Sequence, residues 1–148
     1  MLQKPRVLIV DDIREVRELL RCVLETSGFA VAEAEEATMA LDQLRKSFFN
    51  VVLLDIHLPG LSGLQALGPM KEINPYTKVV MITGDSSLPS AIEAIDGQAF
   101  AYLAKPIDMK ELMLTLSQAL VQQREELFMR KPLSFRLTSA TLQENATS

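Results

Sequence analysis

Short apolar runs alternate with stretches of helical spacing along this chain, and that alternation is its strongest constraint on fold. Val7-Leu8-Ile9-Val10 is a continuous apolar run, as expected of a strand buried on both faces. Ile13, Val16, Leu20, Val23 and Leu24 then recur at helical spacing, and Gly28 suits the end of that helix. Ala30 to Ala34 reads as a weaker strand, less apolar and so expected at a sheet edge, and Ala37, Ala40, Leu41 and Leu44 mark a second helix. Val51 to Leu54 is the next buried strand. Ser62 with Gln65 three residues on predicts a capping box opening a third helix, which Asn74-Pro75 closes. Val79 to Ile82 predicts a fourth strand, Ser87 to Ile95 a fourth helix and Ala99 to Leu103 a fifth strand. Asp108 with Glu111 predicts the cap of a long last helix. Strict β-α alternation of this kind implies an α/β fold around a parallel sheet.

A chain of 148 residues, 48% hydrophobic, suits one domain with a short appendage. The helical pattern decays beyond about Glu125, and Pro132 to Ser148, rich in Ser, Thr and Asn, reads as a tail or linker. We therefore expect a domain over 1–124 and an extension with a tail over 125–148. A formal net charge of -4 disfavours a surface for direct nucleic-acid binding. The single cysteine, Cys22, excludes an internal disulfide and is expected in the core. No apolar stretch approaches the ~20 residues of a membrane helix, and no signal peptide is visible, so a cytoplasmic location without membrane contact is expected.

Open parallel sheets bind ligands beyond the carboxyl ends of their strands. There this chain carries Asp11-Asp12, Asp55, Thr83 and Lys105, at the ends of strands one, three, four and five. Clustered carboxylates in a partly dry site require positive charge. Lys105 supplies one cation, and oxygen ligands select a hard divalent ion, Mg2+, for the remainder. Such a site suits phosphoryl transfer to a carboxylate, with Lys105 and Thr83 contacting the phosphoryl oxygens. A lone Asp after a strand is commonly a turn residue or a helix cap. Four strand ends bearing complementary groups are hard to explain in that way.

These pieces resemble the receiver domains of two-component response regulators, over roughly residues 4 to 124. The resemblance rests on Val7-Leu8-Ile9-Val10-Asp11-Asp12, on Leu54-Asp55-Ile56-His57-Leu58-Pro59-Gly60-Leu61-Ser62-Gly63, on Met81-Ile82-Thr83-Gly84 and on Tyr102-Leu103-Ala104-Lys105-Pro106. It implies a flavodoxin-like, doubly wound sheet of five parallel strands in the order 2-1-3-4-5, with helices on both faces. It implies that Asp55 accepts phosphate from a histidine kinase or phosphotransfer protein and that the signal passes to a downstream protein or output domain. Mg2+ would be held by Asp12, Asp55 and the backbone carbonyl of His57, and by Asp11 through a water. Thr83 and Lys105 would contact the phosphoryl group, and Thr83 with Tyr102 would form the switch. The Lys105-Pro106 peptide is expected to be cis. The domain would catalyse its own phosphorylation and slow dephosphorylation without being an enzyme otherwise.

The chain departs from that family at two places. Gln98 stands where glycine is common, after Gly97, so the turn there is expected to shift by a residue. Gly84 follows Thr83 where alanine is common, which should open the phosphate side. His57, the only histidine, is either a solvated loop residue or, with Asp85, a modulator of water attack on the acyl phosphate. A haloacid-dehalogenase-like phosphatase is disfavoured, since His57 replaces its second aspartate. A nucleotide binder lacks its glycine-rich motifs. A receiver that only docks partners is disfavoured by the complete acceptor set.

On the last helix, Met109, Leu112, Met113, Leu116 and Leu120 form the expected core face. Ile107, Leu114, Val121 and Phe128 form a second series, spaced by seven. Leu114 and Val121 should face away from the sheet, and this stripe, with Phe128, is a candidate homodimer face.

Overall fold

The computed structural model describes residues 3–84, 88–131 and 134. Five parallel strands, β1 (Arg6–Val10), β2 (Ala30–Ala34), β3 (Val51–Asp55), β4 (Lys78–Thr83) and β5 (Ala101–Ala104), form one sheet in the order β2-β1-β3-β4-β5. The helices between and after them are α1 (Arg14–Thr26), α2 (Ala37–Lys46), α3 (Gly63–Ile73), α4 (Leu88–Asp96) and α5 (Met109–Met129). β2 lies at an edge, as its weaker apolar character requires.

Side chains alternate across each strand and split the interior in two. Leu8, Val10, Val52, Leu54, Val79 and Met81 pack under α2, α3 and α4. Val7, Ile9, Val51, Leu53, Val80, Ile82 and Leu103 pack under α1 and α5. The central strands β1, β3 and β4 are thus covered on both faces, which is why they read as unbroken apolar runs.

Local chemistry sets the element ends. The Ser62 hydroxyl accepts from the Gln65 backbone N–H at 3.1 Å, and the Gln65 side chain accepts from the Ser62 N–H at 3.0 Å, closing the capping box of α3. The Asp108 carboxylate accepts from the N–H groups of Lys110 and Glu111 at the start of α5. Ala99 does not enter β5, because its N–H donates to the Ala94 carbonyl and closes α4. The expected shift of the turn before β5 does not occur. Gln98 itself takes the left-handed conformation, φ +71°, while Gly97 is fixed by space, a Cβ there coming within 2.7 Å of Leu67.

Two further expectations are corrected. Cys22 is exposed rather than buried: the inward face of α1 is Arg17, Leu20 and Leu24, and Cys22 lies about 200° around the helix from Leu20. On α5, Leu114 and Val121 are exposed at 60% and 53%, but Ile107 packs into the α1–α5 core and Phe128 is half-buried. The exposed stripe is therefore two residues long. α5 passes residue 124 unbroken and ends at Met129. The proposed tail, Pro132 to Ser148, lies outside the described residues apart from Ser134, and Ser87 and Asp85 also lie outside them.

Candidate functional site

The parallel register brings the carboxyl ends of β1, β3, β4 and β5 to one edge. Val10 pairs with Leu54, Asp55 with Ile82, and Thr83 with Ala104, so residues following one strand adjoin those following its neighbour. Carboxylate oxygens of Asp11, Asp12 and Asp55 lie within 4.8 Å of one another. Asp11 and Asp55 are buried, while Asp12 is exposed at the rim. Asp12 is not the helix cap, since the N-cap of α1 is Ile13, without a side-chain cap bond. Lys105 crosses the end of β4 to reach both buried carboxylates, with Nζ 3.0 Å from Asp11 Oδ2 and 3.1 Å from Asp55 Oδ2. Its own N–H donates to the Thr83 carbonyl at 2.7 Å, and the Lys105-Pro106 peptide is cis.

Each buried carboxylate is also held by backbone. Asp55 Oδ1 accepts from the His57 N–H at 3.0 Å, and Asp11 Oδ1 from the Ile13 N–H at 2.8 Å. Burial pushes the Asp55 carboxyl above the ordinary carboxylate range and the Asp11 charge adds to that, against the opposing pull of Lys105 and the His57 N–H. Burial acts to lower the Lys105 ammonium, but its bonds to Asp11 and Asp55 outweigh it and hold the group above its usual value. Three carboxylates against one ammonium leave a formal charge of -2 in this cluster. An all-oxygen donor set carrying that surplus matches a hard divalent cation.

The surrounding loops shape the approach. The His57 side chain is exposed on the β3–α3 loop. Gly63, at the first turn of α3, presses against β3, and a Cβ there would collide with the Asp55 carbonyl oxygen. Only glycine lets α3 start so close to Asp55. Among the described residues, a Cβ at Gly84 would meet nothing within 4 Å. Thr83 is fully buried, and Tyr102 is half-buried against the core under α2–α4.

Sequence reasoning overlooked Arg17 and, though it included Gly63 in the motif, missed the close packing that requires glycine there. Arg17 is buried on the inner face of α1, where its guanidinium donates to the Asp11 carbonyl at 2.7 Å. An arginine three and seven residues before Leu20 and Leu24, inside an apolar stripe, was the available signal.

Comparison with known proteins agrees with this geometry. The family model for the response regulator receiver domain matches residues 7–117. The transcriptional regulatory protein ZraR of Klebsiella oxytoca is 37% identical over 118 residues, 80% of this chain and 27% of that protein. The chain spans between about a quarter and about half the length of the curated relatives it matches. A response regulator receiver domain protein (CheY-like) from Methanospirillum hungatei JF-1 superposes with a TM-score of 0.80 at 32% identity, covering 83% of this chain and 98% of that one. A response regulator from Burkholderia pseudomallei, solved with a phosphorylated aspartic acid, a calcium ion and citrate, has a TM-score of 0.74 at 26% identity and covers 98% of this chain and 88% of that one. With the family match, the sheet order and the acidic strand ends in agreement, this chain belongs to the response regulator receiver domains of two-component signalling.

Proposed function

We propose that Asp55 is the phosphoacceptor of this receiver and that a histidine kinase or phosphotransfer protein is the donor. The observation that carries the reading is the clustering of Asp11, Asp12 and Asp55 at one sheet edge, with Lys105 bonded to Asp11 and Asp55. An Asp55 carboxylate oxygen attacks the phosphorus of a phosphohistidine. The P–N bond breaks, its electron pair returns to the imidazole nitrogen, and that nitrogen takes a proton. The N–H of His57 and the ammonium of Lys105 hold the two carboxylate oxygens before attack, so little reorganisation is needed. Asp12, Asp55 and the His57 carbonyl would hold Mg2+, with Asp11 acting through a bound water. The ion would supply charge neutralisation for the phosphoryl oxygens.

Thr83 donates to a phosphoryl oxygen, and Tyr102 follows its movement. This couples Asp55 to the surface of α4, β5 and α5. The domain thereby catalyses its own phosphorylation and slow dephosphorylation, with His57, exposed on the β3–α3 loop, and Asp85, outside the described residues, tuning water attack. Residues 1–124 act as the receiver and 125–148 as an extension leading to an output domain or a downstream protein. α5 runs unbroken across that boundary to Met129, and Glu126 still pairs with Lys78 of β4, so the last turn of the helix packs on the receiver before the extension leaves it. Among the described residues no helix is long and apolar enough to cross a membrane, in keeping with a cytoplasmic site of action.

Incubation with acetyl phosphate and Mg2+ should add one phosphate. Asp55→Asn should abolish incorporation, and EDTA should suppress it. Incorporation into Asp55→Asn at the wild-type rate removes the assignment. Exposed Leu114 and Val121 favour self-association along α5, strengthened by phosphorylation. Light scattering with and without beryllofluoride should show dimers that Leu114→Glu/Val121→Glu abolishes. A wild-type chain monomeric at high micromolar concentration in both states excludes that face as a dimer surface.

A further inference from the structure

We propose that Arg17 is a positioning residue for the divalent-cation site, fixing the β1–α1 turn so that Asp11 and Asp12 present their carboxylates to the ion. The inference rests on the reading of the acidic trio as a cation site. Among the described residues Arg17 is the one buried arginine, and it sits in the apolar stripe of α1 with Leu20 and Leu24. A guanidinium is costly to bury and is retained where several partners face it. Arg17 has three. One nitrogen donates to the Asp11 carbonyl at 2.7 Å, Nε lies 3.1 Å from Glu33 Oε1, and the third nitrogen is 3.9 Å from Glu35. Glu33 is itself anchored, its side chain by Arg21 at 2.6 Å and its carbonyl by Gln43 at 2.8 Å. The fork therefore ties the end of β1 to β2 across the start of α1.

The consequence falls on Asp11. Its N–H donates to the Ala34 carbonyl, its carbonyl accepts from Arg17, and its two carboxylate oxygens accept from Ile13 and Lys105. Every polar atom of Asp11 is thus engaged. Arg17 holds the one that fixes the peptide plane joining Asp11 to Asp12. Without it that plane can rotate and carry the Asp12 carboxylate with it. Groups that orient metal ligands in this way typically contribute about 10–100-fold to affinity.

Charge and geometry predict opposite signs. Removing a cation beside an acidic cluster should tighten Mg2+ binding by simple Coulomb attraction. Losing the tether should weaken it. Calorimetric titration of the full chain with MgCl2 decides between them, using wild type, Arg17→Gln, Arg17→Lys and a distant destabilised control, Leu24→Ala. We expect Arg17→Gln to bind about 10-fold or more weakly. Lysine keeps the charge but reaches Asp11 or Glu33, not both, so Arg17→Lys should also bind more weakly. Leu24→Ala should melt at lower temperature yet bind within about twofold of wild type, since independent distant sites act additively. In metal-free protein, amide NMR signals of Asp12 and Ile13 should shift in the Arg17 variants and not in Leu24→Ala. Should both Arg17 variants fail to fold, Glu33→Gln, which loosens the tether from the β2 side, should still weaken binding severalfold. Mg2+ affinity in the Arg17 or Glu33 variants equal to or tighter than wild type overturns the proposal and leaves the proposed function standing. No Mg2+ binding by wild type overturns both.

Discussion

The two ends of the sheet bury polar groups to a similar degree and use them differently. At the amino end of β4, Lys78 is buried and both oxygens of Glu126 lie within 2.8 Å of its Nζ. Beside it Gln123, 2% exposed, donates to the carbonyls of Asn50 and Tyr76 and accepts from the Asn50 side chain. The Lys71 ammonium donates to the carbonyls of Pro75 and Thr77. The Lys78–Glu126 pair is neutral and with Gln123 fastens the end of α5 to the strands, while Lys71 ties α3 to the turn before β4. At the carboxyl end the same sheet carries three carboxylates and one lysine. Burial of charge does not distinguish the ends, but its imbalance does. At the paired end the buried lysine is matched by its own carboxylate, whereas the unpaired end calls for a cation and a phosphoryl group.

The widest separation between the ends should appear when each loses its lysine. Lys105→Met removes the one cation facing Asp55, and phosphate incorporation from acetyl phosphate should fall by about 10²-fold or more. Lys78→Met should leave incorporation within about twofold and instead lower stability by about 1–3 kcal/mol, since Glu126 can turn part-way to solvent. Equal loss of incorporation in both variants would dissolve the distinction. Gln123→Leu tests the paired end alone. Two carbonyls and one amide lose their partner, for a cost of about 2–4 kcal/mol in urea unfolding, while the Mg2+ affinity of the folded protein should not move.

The ends should also respond to pH with opposite sign in metal-free protein. Asp55 is raised in the folded state by burial, so the unfolded chain gives up this proton first as pH rises. Stability is therefore lost from pH 3.8 upward through the folded value, and Asp55→Asn should melt higher than wild type at pH 7, with the gap closing below pH 3.8. Burial tends to raise Glu126, but the bonds from Lys78 and Gln122 outweigh it and the group is depressed. Its contribution is complete above pH 4.5 and is lost as pH falls through the folded value, so Glu126→Gln should melt lower than wild type at pH 7 and match it in acid. Thermal scans between pH 3 and 7 with EDTA check both signs, and a shared direction would contradict the charge assignment.

What could be read from the sequence follows the same division. The acidic end was readable because open parallel sheets bind ligands beyond their strand ends, and Asp11, Asp55, Thr83 and Lys105 each follow an apolar run directly. The sheet was readable because β1, β3 and β4 are buried on both faces and carry no polar alternation. The paired end was not, since Lys78 opens β4 as an ordinary charged residue ahead of the apolar run, and its partner Glu126 lies 48 positions on. Arg17 shows the same limit within one helix. Spacing from Leu20 and Leu24 already puts Cys22 on the outer face and Arg17 on the inner one, but a charged residue there is not expected to be buried until Glu33 and the Asp11 carbonyl are seen to face it.

The smallest effect expected is at Gln98, at the entry to β5 on the paired side. Its φ of +71° places a side chain in the left-handed region, at a cost of about 1–2 kcal/mol that glycine does not incur. Glycine adds backbone entropy to the unfolded chain, which returns about 0.5–1 kcal/mol of that gain. Gln98→Gly should therefore stabilise the fold by about 0.5–1 kcal/mol, and the Gln98 N–H bond to the Ile95 carbonyl survives the change. Gly97 offers the control, because alanine there meets Leu67 and the Glu93 carbonyl and should destabilise. Urea unfolding separates the pair. If Gln98→Gly and Gly97→Ala shift the midpoint the same way, the turn is not held as described. Neither substitution should alter Mg2+ affinity, since both lie at the opposite end of the strands from Asp55.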